Sequence, residues 1–186
     1  MLPRTRAALA VAAAVIVAAS SVAAAEFDST AASARSRNVV TAMPLLDSRL
    51  VATINAARAG HGLPRLRVSV RLRASASYHS YEMAGQGFFS HDSLDGTSPS
   101  KRLARFYTPR GYRKWQVGET LLWWSPDVDA ARVVHEWLAN PQHHAILLAP
   151  AFREIGVSAL HETAAAGDFQ GDEVTLITAD FGVRRR

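Results

Sequence analysis

Not one of the 186 residues is a cysteine. That excludes a disulfide scaffold, a thiolate zinc site, a cysteine nucleophile and a cysteine-borne lipid anchor. There is also no G-x-S-x-G nucleophile elbow, no Walker loop and no dinucleotide fingerprint. The metalloprotease pattern H-E-x-x-H fails twice. His135-Glu136-Trp137-Leu138-Ala139 and His161-Glu162-Thr163-Ala164-Ala165 both end in alanine, where a second imidazole must grip the ion. Charge is modest, at 20% of residues against a hydrophobic set of 48%, a balance that calls for folding rather than disorder. The net charge of +5 draws on Arg4 and Arg6 near the start and on Arg184, Arg185 and Arg186 at the other end. With no reader motif on a basic face, nucleic acid is not expected as a partner.

What is present begins with residues 1–25, which read as a secretory signal. Arg4 and Arg6 form its positive start, Ala7 to Ala19 its apolar region, and Ala23-Ala24-Ala25 an A-x-A site that places cleavage after Ala25. The stretch Ala7–Ala25 is long enough for the alternative, a retained anchor, but its alanines make it only marginally hydrophobic. The expected location is therefore extracellular or in the cell envelope, with a mature chain ample for one core. Residues 26–43 are rich in Ala, Ser, Thr and Arg without apolar period and read as a flexible linker. A folded domain is expected over 44–183, followed by a solvated basic tail at 184–186.

Within that domain Leu46, Leu50, Ile54 and Ala57 recur at helical spacing and predict a helix over 45–59, ended by Gly60 and Gly62. A second helix is expected over 69–84, with Leu72, Ala76 and Met83 inward and Gly85 as its stop. Ser98-Pro99 opens a short third helix, and Trp115 to Trp124 reads as a strand. Ser125-Pro126 repeats the cap-plus-proline signature ahead of Ala130, Val133, Val134, Trp137 and Leu138, a helix that Pro141 should stop. Two strands, 155–160 and 174–181, flank a polar loop and close the domain. Helices first and strands mostly later indicate an α+β fold with an antiparallel sheet.

Three segments hold the chemistry: Phe88-Phe89-Ser90-His91-Asp92, Val117-Gly118-Glu119-Thr120 and Trp137-Leu138-Ala139-Asn140-Pro141-Gln142-His143-His144. Each alone has a plain structural explanation, since a loop histidine or a strand glutamate often serves only as a hydrogen-bonded core group. With Leu50-x-x-x-Ile54-Asn55-x-x-Arg58, Gly111-Tyr112, Phe152-x-x-Ile155-Gly156-Val157 and Asp180-Phe181-Gly182, they form an ordered set. In order and spacing that set resembles the CAP superfamily: cysteine-rich secretory proteins, venom antigens, plant pathogenesis-related proteins and bacterial SCP-like domains. The missing cysteines resemble the bacterial branch. The resemblance covers about residues 45–183 and implies an α-β-α sandwich with a small, mainly antiparallel sheet between helical layers.

The resemblance also implies a cleft of two histidines and two acids that holds a divalent metal in some members. His91, Glu119 and His143 match three of those positions. The fourth falls at Asn140, with Glu136 the nearest acid. Thr120 stands where the family usually has Asn, and His144 where bacterial members usually have Arg. Two imidazoles and a carboxylate suit Zn²⁺ or another divalent cation, which could activate water. The same three groups also make a stable hydrogen-bonded cluster with no ion. The expected function is an extracellular or cell-envelope binding module, a monomer, taking an apolar or lipid ligand or an envelope polymer. Phe88-Phe89 and Trp123-Trp124 are its candidate cleft walls. The alternative is a metal-assisted, protease-like hydrolase using His91, Glu119 and His143. A third reading is a purely envelope-associated domain in which Arg65, Arg67, Arg71 and Arg73 contact anionic polymers or lipid; against it, these arginines alternate with Leu66, Val68, Val70 and Leu72 as in a solvated amphipathic segment.

Overall fold

The helical repeat of Leu46, Leu50 and Ile54 is realised as the buried face of α1 (Pro44–Gly60). The computed structural model describes residues 38–186; the expected signal segment, its cleavage at Ala25 and the linker up to residue 37 lie outside the described residues. The remaining elements are β1 (Val40–Ala42), β2 (Arg67–Val68), α2 (Val70–Gln86), α3 (Pro99–Phe106), β3 (Lys114–Trp124), α4 (Ala130–Ala139), α5 (Pro141–Leu147), β4 (Glu154–Glu162) and β5 (Val174–Arg185).

The sheet runs β1-β4-β5-β3, with β2 beside β4 on the same edge as β1. All pairs are antiparallel except the two-residue β2–β4 ladder. Residues alternate across β5, so its two faces can be read from the sequence. Ile177, Ala179, Phe181 and Val183 join Leu46, Leu50, Ile54, Val133 and Trp137 in one continuous core under α1 and α4. The opposite face is split. Met83, Phe88, Leu160, Phe169 and Leu176 form one apolar cluster there, and Leu72, Leu103 and Tyr107 another. Buried polar groups of α2, α3, β3 and β5 occupy the space between them: Ser75, His79, Arg102, Glu119, Thr178 and Asp180. The α-β-α sandwich expected from the sequence is the fold observed.

Two motif residues turn out to be clamps. Asn55 accepts from the Leu66 amide at 2.7 Å and donates to its carbonyl at 3.1 Å. The fully buried Arg58 donates to the carbonyls of Pro64, Leu147 and Ala149, tying α1 to the end of α5. On the other face α2 lies so close to β4 that a Cβ on Gly156 would stand 2.0 Å from the Arg73 nitrogen.

Several expected boundaries move. The folded part begins earlier, because Val40–Ala42, assigned to the linker, pairs with Glu162–Leu160. It also ends later: Arg184 and Arg185, assigned to a solvated tail, belong to β5 opposite Trp115 and Lys114. Gly85 does not stop α2. Its backbone stays helical, and the helix ends at Gly87, whose φ of 66° suits glycine and whose amide bonds to the Met83 carbonyl. Ser125-Pro126 does not open α4; the bond between them is cis, and Asp129 caps the helix by accepting from the Arg132 amide at 2.8 Å. Pro141 ends α4 but also starts α5, with Asn140 as its cap.

At the N-terminus of α1, Asp47 accepts from the Ala159 amide at 2.7 Å. Burial raises its pKa from 3.8 to about 6, against smaller opposing pulls from that amide and from Arg73. Between these two values the unfolded chain releases its proton first, so stability is full below 3.8 and falls as pH rises through about 6. In Asp47→Asn that decline should disappear. Urea midpoints of both proteins, measured in pH steps across this window, provide the check; parallel curves would show that Asp47 ionises normally.

Candidate functional site

The centre of the site is Glu119 on β3. It faces α2 and α3, and its side chain is only 2% exposed. Its two oxygens are shared between two partners. Oε1 accepts from His91 Nδ1 at 2.9 Å, and Oε2 accepts from Arg102 at 2.5 Å. Burial alone would raise the Glu119 pKa. The His91 hydrogen bond and the charges of Arg102 and His79 outweigh burial and hold the carboxyl below its usual range.

His91 sits on the loop after α2, which is fastened at three points. His79, fully buried on α2, bonds the Ser90 carbonyl through Nε2 at 2.9 Å. Arg102 donates to the His91 carbonyl at 2.9 Å. Ser93 donates to Glu82 at 2.8 Å. The other His79 nitrogen lies 2.9 Å from the same Glu82 oxygen. Both ring nitrogens of His79 are thus engaged, one by Glu82 and one by the Ser90 carbonyl. The His91 ring itself is 49% exposed, and its Nε2 has no protein partner among the described residues. In the neutral form of the ring, donation from Nδ1 to Glu119 leaves the lone pair on Nε2, on the side away from that partner.

Asp180 stands directly across from Glu119 in the β3–β5 register and is completely buried. Burial and then the Glu119 charge push its pKa well above the usual value; Ser75 and Arg102 offset this only in part. Ser75 is close enough to be felt, yet neither it nor Asp180 makes a well-formed hydrogen bond. The two carboxyls therefore divide their roles, Glu119 ionised and Asp180 neutral.

His143 comes from α5 and is half-buried. Desolvation, and then the charge of nearby His91, lower its pKa and favour the neutral ring. It lines a shallow cleft of about 440 Å³ with Leu122, Glu136 and Asn140. The structure thus brings His91 to Glu119 and sets His143 within electrostatic reach of His91. Among the described residues, however, no three His, Asp or Glu side chains converge to hold a metal ion. Each Glu119 oxygen is bonded within the protein, Oε1 to His91 and Oε2 to Arg102, and the carboxylate does not converge with His143.

The supporting residues fare differently. Asn140 is a helix cap, accepting from the amides of Gln142 and His143. Glu136 pairs with Arg132 at 2.8 Å along α4. Thr120 points to the other side of the sheet, where its buried hydroxyl has no partner among the described residues. His144 turns from the cleft toward His61, with ring centroids 6.4 Å apart. Phe88 is core rather than cleft wall, edge-on to His79. Trp123, 37% exposed, meets Phe169 edge-on, and Phe89 meets Phe169 from another side. His79, Glu82, Ser93, Arg102 and Asp180 were not foreseen as site residues. Ser75 and His79 do fall on the buried stripe of α2 with Leu72, Ala76 and Met83, and polar groups there were the available signal.

A sequence model of the cysteine-rich secretory protein family matches residues 51–174. The match takes in His79, His91, Arg102, Glu119 and His143 and stops short of Asp180. No curated protein matches the chain. Among solved structures, an outer surface protein from Borrelia burgdorferi superposes with a TM-score of 0.62 at 19% identity, over 79% of this chain and 100% of that one. An extracellular protein containing an SCP domain from Bacillus anthracis gives 0.58 at 24% identity, over 77% of this chain and 41% of that one. A cysteine-rich secretory protein from Staphylococcus aureus gives 0.50 at 19% identity, over 77% and 39%. This chain spans less than half the length of the latter two. At these identities the likeness is one of fold.

Proposed function

The chain belongs to the cysteine-rich secretory protein family, and on that footing we propose that it is an extracellular binding module whose cleft presents His91 and His143. The observation that carries this reading is the half-exposed His91 ring, held through Nδ1 by Glu119 and with Nε2 unbonded among the described residues. His143, neutral and close to His91, is the natural second ligand for a divalent cation such as Zn²⁺. Glu119 then acts as the orienting carboxylate rather than as a ligand. A bound cation would supply Lewis acidity at the cleft mouth. Glu119 holds the His91 ring still, and the partly exposed Trp123 and Phe89, both packed on the buried Phe169, offer an apolar ligand something to lie against. The outer-surface and extracellular descriptions of the structural neighbours favour an extracellular setting. No helix among the described residues is long and apolar enough to cross a membrane.

A zinc titration by calorimetry tests this reading. Saturable one-to-one binding is expected, abolished in His91→Ala and weakened about 10–100-fold in Glu119→Gln. Absence of heat, or equal binding by the wild type and His91→Ala, would refute the cation site and turn the search to apolar ligands.

The His91–Glu119 pair favours a second reading, because a base held by a carboxylate is the geometry of general-base hydrolysis. No hydroxyl among the described residues bonds His91 Nε2, so the nucleophile would be water. Peptide, ester and glycan panels with the zinc-loaded protein decide it: turnover lost in Glu119→Gln supports hydrolysis, and no turnover removes it.

A further inference from the structure

A separate cleft of about 630 Å³ lies where β5 ends against the loop between α3 and β3. Its walls carry four guanidinium groups from three parts of the chain: Arg71 in the first turn of α2, Arg110 in the loop, and Arg184 and Arg186 on the last strand and beyond it. Thr108 and Tyr112 supply hydroxyls to the same space. Among the described residues no carboxylate lies within ion-pair distance of any of the four arginines. Glu154, packed beneath, is engaged by the Tyr107 hydroxyl.

One of the four is rigidly mounted. The Arg184 guanidinium carbon sits 3.8 Å from the centroid of the Tyr107 ring and 4.7 Å from that of Tyr112. Stacking on two rings holds its plane, and the Tyr107 hydroxyl lies close enough to feel its charge. Its Nε is buried and makes no hydrogen bond. The four cations have no direct ion-pair partner among the described residues, Glu154 being held by Tyr107; they repel one another, and an anion seated among them relieves that repulsion. Guanidinium forks match the oxygens of phosphate two at a time. A single carboxylate offers one charge and two oxygens in a plane, too little for donors converging from α2, the loop and β5. A group with at least two negative charges and tetrahedral oxygens suits them.

We propose that this cleft binds a phosphate-bearing ligand, its phosphate gripped by Arg71, Arg110, Arg184 and Arg186. The site is independent of the histidine cleft and does not require a metal there.

Calorimetry of the purified protein with inorganic pyrophosphate is the primary test, run on the wild type, on Arg71→Ala/Arg110→Ala and on Arg49→Ala/Lys101→Ala, a pair of exposed cations. The first pair removes two exposed cleft arginines that hold no other part of the fold. The second removes an equal charge outside the cleft. Saturable binding is expected in the wild type, weakened about tenfold or more in the cleft pair and nearly unchanged in the other pair. Co-sedimentation with phosphatidylcholine vesicles containing phosphatidic acid distinguishes the source of the phosphate. Vesicle binding lost in the cleft pair identifies a lipid headgroup, whereas pyrophosphate binding without vesicle binding identifies a soluble phosphate ester. Binding of neither probe at low ionic strength, or equal weakening in both pairs, overturns the site.

Discussion

Adding a single methyl group at Gly156 is expected to abolish the folded state. A Cβ there would lie 2.0 Å from the Arg73 nitrogen, 2.2 Å from the Leu72 carbonyl carbon and 2.6 Å from the Arg73 Cα. All three are backbone atoms, so no rotamer change can relieve the collision. The helix that carries them cannot retreat cheaply. Ser80 on the same helix donates to Thr178 and to the Ser158 carbonyl, and His79 reaches across to the Ser90 carbonyl. Lifting α2 would break these bonds and open a void over both apolar clusters of that face. The expected cost exceeds about 5 kcal/mol, comparable to the whole stability of a typical domain. Gly156→Ala should show no near-ultraviolet circular dichroism of a packed core and no sharp urea transition. Gly60→Ala is the control, since nothing lies within 4 Å of the added carbon. A Gly156→Ala protein that unfolds cooperatively near the wild-type midpoint would contradict the close approach.

Arg102 carries the second large effect. Its guanidinium is completely buried and serves Glu119, the His91 carbonyl and Ser93 together. Arg102→Met keeps much of the volume but strands an ionised carboxylate out of water. Breaking a buried pair in this way costs about 3–5 kcal/mol. Restoring neutrality should recover much of the loss, so Arg102→Met/Glu119→Gln is expected to be more stable than Arg102→Met. The pH dependence has a definite sign. In the wild type the depressed Glu119 pKa contributes stability at neutral pH that fades as pH falls through the folded value. Without Arg102, burial pushes the Glu119 pKa up, so the deficit should be largest at neutral pH and shrink in acid. Urea unfolding of the four proteins of this cycle at two pH values gives the answer. A double variant no more stable than Arg102→Met would mean that the arginine acts through the loop rather than through Glu119.

How much of this was legible beforehand follows the range over which each signal acts. Leu46, Leu50 and Ile54 announce α1 because helical periodicity is local. The run from Val174 to Phe181 announces β5 because a strand buried on both faces must be apolar along much of its length. Val40–Ala42 gave no such signal; three residues become a strand only because β4, more than a hundred residues away, offers them an edge. Ser125-Pro126 misled because a capping residue competes with its neighbours, and Asp129 holds the amide that matters. In the site, His91 and Glu119 could be named from short motifs, and a hydrogen bond between them was part of the ion-free cluster reading; that Arg102 takes the other Glu119 oxygen was not. Arg102 stands beside Leu103 in a short charged helix, and nothing local reveals that its guanidinium turns inward to β3. Asp180 was visible in Asp180-Phe181-Gly182, but its neutral state depends on a carboxylate supplied by another strand.

The sheet order sets the sequence of events in folding. Among the described elements β5 comes last in sequence and lies between β3 and β4. Until it arrives those two strands have no common partner, and the apolar residues of α1, α2 and α4 have no complete surface to cover. Folding cannot therefore proceed vectorially from the first helix. It must wait for contacts spanning most of the chain, the kind of topology that folds slowly. The domain is thus committed to remain unassembled until β5 is available.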